Sequence, residues 1–177
     1  MIGYSPDHHH LVKFGGSTTA ACPLPGCDEQ DETVVHTQSW CQPLKEARIA
    51  AHHRIRKSAT KRIFTALKKC DPGWDMFEEE RLGQIGLPCF GRNKRLRPDC
   101  TFVNWVTKRA YVVEFSRTWD SSVDSIRKTE KKKKKQYYRA VVEARTEWPD
   151  WKIRVIPLVV GTRGKVSEKT LRAYLKR

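Results

Sequence analysis

No run of 18 apolar residues occurs in this chain, so no segment is expected to cross a bilayer as a helix. The N-terminal MIGYSPDHHHLVKFGG has no continuous apolar core, which argues against a secretory signal. Acidic residues are scarce: 20 Asp and Glu stand against 35 Lys and Arg, a formal net charge of +15. That excess points to a polyanionic partner. Nucleic acid ranks before membrane, because no amphipathic lipid-binding helix stands out. Internal repeats are absent as well. With no sign of export, the six cysteines read as metal ligands or free thiols rather than as a disulfide framework. An apolar fraction of 38% over 177 residues is enough for one ordinary domain with a small appendage.

The chain falls into three parts. Residues 1–20 read as a flexible tail, in which His8, His9 and His10 are solvated polar residues rather than a metal site. Residues 21–44 hold CPLPGCDEQDETVVHTQSWC, which sets Cys22, Cys27, His36 and Cys41 in a Cys-x4-Cys-x8-His-x4-Cys array. Zinc takes four N or S ligands in a tetrahedron, and two ligand pairs on short loops can supply them. Pro23, Pro25 and Gly26 favour the tight turn that the first pair needs. The rival reading is a chance group of cysteines in a loop, since the first gap is wider than the common Cys-x2-Cys. A knuckle this small would fold only around its metal.

Residues 45–177 are periodic and form the main domain. From Glu46 to Cys70, Ile49, Ile55, Ala59, Ile63, Ala66 and Leu67 recur at helical spacing, with His52 in the same stripe and His53 just outside it. Asp71-Pro72-Gly73 ends that helix. Strands are expected over Trp74–Glu78, Asp99–Val106 and Ala110–Phe115, the last two joined by a short hairpin link. A long helix follows from Ser121 to Trp148, with Ser121 and Asp124 as a capping box, and residues 151–160 read as a fourth strand. The order is α-β-β-β-α-β.

In that order Asp99 heads one strand and Glu114 lies near the end of the next. Burying unpaired carboxylates is costly. Converging on one sheet edge, the two can hold Mg²⁺, a hard cation that takes oxygen ligands and activates water against a phosphodiester. The bland alternative is an exposed Pro-Asp turn and an edge-strand Glu. Phosphodiester hydrolysis of this type also needs a cation near the developing charge. KTEKKKKKQYY supplies several, and projection against Val123, Ile126, Tyr137, Val141, Ala144 and Trp148 puts Lys134 near the centre of the apolar face and Lys133 at its margin. Tyr138, four residues after Lys134, is its neighbour on the helix.

With these residues in order, the chain resembles the C-terminal part of site-specific non-LTR retrotransposon proteins, a Cys-Cys-His-Cys knuckle followed by a restriction-like endonuclease. The matching segments are ETVVH, Cys41, RIAAHHRI, the Gly-Trp at 73–74, RPD, VVEF, Lys134 with Tyr138, and PLVVGTRG, together covering about residues 22–164. The resemblance implies an αβββαβ core of the PD-(D/E)xK class, structural zinc, catalytic Mg²⁺ and a nick in target DNA that primes reverse transcription. It implies catalytic roles for Asp99, Glu114, Lys134 and Tyr138, with Asp99 and Glu114 on the metal. Nucleic-acid contacts fall on His52, Arg54, Arg97 and Lys133, although Ala51 stands where the family has arginine. The upstream acid falls among Glu78, Glu79 and Glu80. DNA is the expected partner, RNA a second candidate, and the nucleus the expected location. Nothing in the chain resembles a polymerase. Two other readings share these residues: a catalytically inactive basic nucleic-acid-binding module, and a stand-alone nuclease such as a junction resolvase.

Overall fold

A computed structural model of the chain describes residues 12, 13, 15, 18–87, 95–118, 123–162, 165 and 166. Three sequence expectations lie outside these: the His8–His10 cluster, Ser121 of the capping box, and Arg163 with Gly164 of the last matching segment. The helix and strands follow the expected order after a short additional helix: α1 (Val34–Ser39), α2 (Lys45–Cys70), β1 (Trp74–Glu78), β2 (Cys100–Asn104), β3 (Arg109–Thr118), α3 (Val123–Glu147) and β4 (Lys152–Gly161). By internal contacts the chain divides between His53 and Arg54, within α2.

The N-terminal unit is built from turns. Gly26 has φ +79 and Cys27 N donates to Leu24 O at 3.1 Å. Pro25-Gly26 therefore occupies the centre of a type II turn, where the second position needs positive φ. Helix α1 lies inside the segment read as a knuckle with its ligands on short loops. Its start is set by Thr33, whose hydroxyl accepts from His36 N at 3.1 Å.

The second unit is a mixed α/β layer structure. Its four-stranded sheet has the order β1-β2-β3-β4, with the first two pairings antiparallel and the last parallel. A parallel neighbour needs a crossover, which α3 provides. Strand β3 is buried on both faces. Ala110 and Val112 pack with Tyr137, Ala140, Val141 and Ala144 of α3, while Tyr111, Val113 and Phe115 cluster with Ala59, Ile63, Phe64 and Leu67 of α2. Phe102 is fully buried and stacks on Phe64. Removing a ring so placed typically costs about 3–5 kcal/mol.

Three boundaries differ from expectation for visible reasons. Strand β2 stops at Asn104 because its side-chain oxygen accepts from Thr107 N at 2.8 Å and opens a turn. Asp99 lies one residue before β2, not in it. Strand β3 runs to Thr118 because its pairing with β4 continues to Thr118↔Gly161. The buried face of α2 is also rotated from the expected stripe: Ile49, Ile55 and Ala66 are exposed, while Arg56 and Thr60 are buried. Both buried polar side chains are bonded to the β1–β2 region, and those bonds decide which face turns inward. Among the described residues no helix is long and apolar enough to cross a membrane.

Candidate functional site

In the N-terminal unit the turn and α1 bring Cys22, Cys27, His36 and Cys41 together, their ligand atoms all within 4.8 Å of one another. Cys22 Sγ lies 4.0 Å from Cys41 Sγ, Cys41 Sγ 3.9 Å from Cys27 Sγ, and Cys27 Sγ 3.3 Å from His36 Nε2. These distances are far too long for disulfides. They are close to the edge of a tetrahedron of about 3.8 Å that a metal–sulfur bond of about 2.3 Å requires. The four side chains can hold a metal ion. Burial pushes the Cys22 thiol up to about 11, and the neighbouring Cys27 and Cys41 add to the shift. The other face of the imidazole turns to a residue that sequence reasoning missed. Glu29 Oε2 lies 3.7 Å from His36 Nδ1 and 3.4 Å from Trp40 Nε1. At 3.7 Å Glu29 is an electrostatic neighbour of the ring and not a hydrogen-bond acceptor, and the buried Nδ1 has no hydrogen-bond partner among the described residues.

In the second unit the strand register brings Asp99 and Glu114 to one place. Cys100 pairs with Val113, so Asp99, one residue before β2, comes level with Glu114. Asp99 Oδ2 accepts from Phe115 N at 2.7 Å. Glu114 is buried, on the side of the sheet that faces α3. Lys133 Nζ lies 2.8 Å from its Oε2, and Tyr137 donates its hydroxyl to Oε1. Burial first, and then Glu114 and Asp99, push the Tyr137 phenol well above its ordinary range, so it stays a proton donor.

The projected lysine is thus displaced by one position. Lys134 is exposed, Tyr138 is 66% exposed, and Lys133 with Tyr137 faces Glu114. The Lys-x-x-x-Tyr spacing fits both pairs, so spacing alone could not separate them. A tyrosine already in the apolar stripe was the available signal, because a buried hydroxyl needs a partner. The face that packs is Ile126, Tyr137, Ala140, Val141 and Ala144. Trp148, used in the projection, lies beyond the end of α3 and is exposed.

Of the upstream acids, Glu78 accepts from Thr60 Oγ1 at 2.9 Å. Glu79 lies 3.1 Å from Arg56 and 3.8 Å from Arg97. Glu80 is exposed. Arg56, another residue missed by sequence reasoning, also donates to Asp99 O at 3.2 Å, and Glu79 N donates to the same oxygen at 3.2 Å. These bonds hold the backbone that carries Asp99. Cys100, directly after it, is raised to about 12, chiefly by burial. Arg97 is otherwise solvent-facing and donates to Glu79 O at 2.6 Å. Arg54 is exposed, and His52 packs edge-on against His53 at 5.7 Å. Comparison with protein-family models and with curated proteins finds no match for this chain.

Proposed function

We propose that the chain is a metal-dependent DNA endonuclease domain of the PD-(D/E)xK class, with a structural zinc knuckle. The nick it makes would prime reverse transcription by a non-LTR retrotransposon. The observation that carries this reading is the Glu114–Lys133 contact beside Asp99: an acid in β3, an acid at the entry to the neighbouring β2 and a lysine from the following helix. For the knuckle, three thiolates and an imidazole on tetrahedral spacing are a borderline-soft donor set, which suits zinc.

Asp99 and Glu114 would hold Mg²⁺. Their donors are all oxygen, and a carboxylate oxygen that accepts one hydrogen bond can also meet a hard cation. When bound, such an ion polarises a phosphate and lowers the pKa of a water. Arg56 and Glu79 fix the Asp99 backbone, and Tyr137 fixes the Glu114 carboxylate. Lys133, released from Glu114 or shared with substrate, supplies positive charge where a phosphodiester would gain negative charge.

One observation favours a second reading. Both Glu114 oxygens are already bonded by the protein's own donors, which also suits a structural ion pair in an inactive nucleic-acid-binding module. Incubation with supercoiled plasmid and Mg²⁺ separates the two. Open-circular product that disappears in Asp99→Ala supports the nuclease; DNA binding without any nicking leaves the binding module. Preference for branched over linear substrate would instead favour a stand-alone resolvase.

A further inference from the structure

The start of β4 carries cations that neither the acidic site nor the knuckle uses. A cleft of about 350 Å³ is lined by Arg109, Tyr111, Lys152 and Arg154. A second, of about 370 Å³, shares Lys152 and Arg154 and adds Arg145. The parallel register sets Arg109 beside Lys152 and Tyr111 beside Arg154, so all four side chains leave the same face of the sheet. That face is the one on which Tyr111 stacks against Trp74, at 4.9 Å between ring centres. Glu114 belongs to the opposite face, and four residues of β3 separate it from Arg109, about 17 Å of strand.

Like charges directly beside each other on neighbouring strands destabilise a sheet. The register makes such a pair of Arg109 and Lys152, with Arg154 two residues on. Among the described residues no carboxylate lines either cleft. The nearby pair of Lys108 with Asp150, at 3.0 Å, is closed on itself. Lysine and arginine on β4 alone would be explained as guards on an edge strand, which discourage pairing with other chains. Arg109 is not explained that way, because β3 is an inner strand and no carboxylate among the described residues is paired with its guanidinium.

We infer that the Arg109–Lys152–Arg154 cleft binds the phosphodiester backbone of a nucleic acid, on the sheet face opposite the acidic site. Guanidinium forks match phosphate oxygens, and an anion between the strands would turn the repulsive pair into two charge-assisted contacts. Tyr111 forms the cleft floor and is too buried by Trp74 to stack on a base, so the contact carries no sequence preference.

The test is binding of a short labelled DNA duplex over a salt series, without added Mg²⁺, so that a protein unable to nick can still pass. Each phosphate contact contributes about 0.9 to the slope of log affinity against log salt. The triple variant Arg109→Gln, Lys152→Gln, Arg154→Gln is expected to lose about two to three units of that slope. A control triple of exposed cations on α2, Lys57→Gln, Lys61→Gln, Arg62→Gln, is expected to lose less. The free triple variant should melt no lower than wild type, since it relieves repulsion. An unchanged slope, an equal loss in the control, or a lower melting temperature would each overturn the proposal.

Discussion

The two clusters of ligand-type side chains are stabilised in opposite ways. In the knuckle, three sulfurs and an imidazole converge on short loops and a six-residue helix, with Glu29 near the imidazole and Arg48 bonded to the Cys41 carbonyl. In the acidic site, the carboxylates are carried by a sheet and already answered by Lys133, Tyr137 and a backbone N–H. Among the described residues no lysine or arginine bonds the sulfurs of the first cluster. The other holds itself. A metal would therefore be part of the fold in the first and an addition to a finished structure in the second.

The largest effect expected from that contrast is on removing metal. Structural zinc in units this small contributes an apparent binding free energy of about 10–16 kcal/mol near neutral pH. Purified protein is expected to contain close to one zinc per chain, held by Cys22, Cys27, His36 and Cys41. A strong chelator or Cys41→Ser should release it and loosen residues 22–41, while the sheet keeps its hydrogen-exchange protection. Metal analysis finding no zinc in wild type would mean that the knuckle is held without metal. Loss of protection in β2 and β3 on chelation would mean that the sheet depends on metal as well.

The next effect lies in the acidic site and depends on its proposed chemistry. Lys133→Ala should lower Mg²⁺-dependent nicking by on the order of 100-fold or more, the usual consequence of removing a charge-stabilising group. Lys134→Ala, at an exposed position, should change it little. Equal loss in both variants, at unchanged DNA affinity, would return the role to the run of lysines as a whole.

How far the sequence disclosed this arrangement differs between the same regions. Element order was legible because Asp71-Pro72-Gly73 and the Thr107-Lys108-Arg109 link punctuate strong periodic runs. Asp99 and Glu114 were legible as a pair because an αβββαβ order puts their strands side by side, and the register then sets them level. The lysine was not. Five consecutive lysines differ only in rotation about the helix, at roughly 100° per step. Counting Trp148 as core and leaving out Ala140 shifted the reference face toward Lys134. Arg56 was hidden for another reason: a buried arginine reads as a solvated one until its partners, Glu79 and the Asp99 carbonyl, are brought in from distant sequence.

A smaller effect follows from the self-contained character of the acidic site in the absence of metal. Glu114→Ala leaves the Lys133 ammonium and the fully buried Tyr137 hydroxyl without their acceptor. An orphaned buried donor costs about 1–3 kcal/mol. Lys133 is 26% exposed and can turn to water, so the Tyr137 hydroxyl carries most of the loss. Urea unfolding should show that decrease, and Glu114→Gln, which keeps an acceptor, should lose less. A Glu114→Ala variant more stable than wild type would mean that the carboxylate is strained in place, as catalytic acids often are.

The smallest effect separates the two tyrosines. Tyr137→Phe keeps the ring in its packing against Ala110 and Val112 and removes only the hydroxyl, whose partner Glu114 retains Lys133. A hydrogen bond to a charged group contributes about 1.5–3 kcal/mol net. The surviving ion pair and the gain from burying a less polar ring reduce the loss, to about 1 kcal/mol. Tyr138→Phe changes a side chain already in solvent and should leave the urea midpoint where it is. In the nicking assay Tyr137→Phe should act through the orientation of Glu114: half-saturation by Mg²⁺ moves to higher concentration, and the rate at saturating Mg²⁺ recovers. If Tyr138→Phe moves the Mg²⁺ requirement and Tyr137→Phe does not, α3 is turned by one residue relative to the sheet in the active protein. The assignment of Lys133 would then pass to Lys134 along with it.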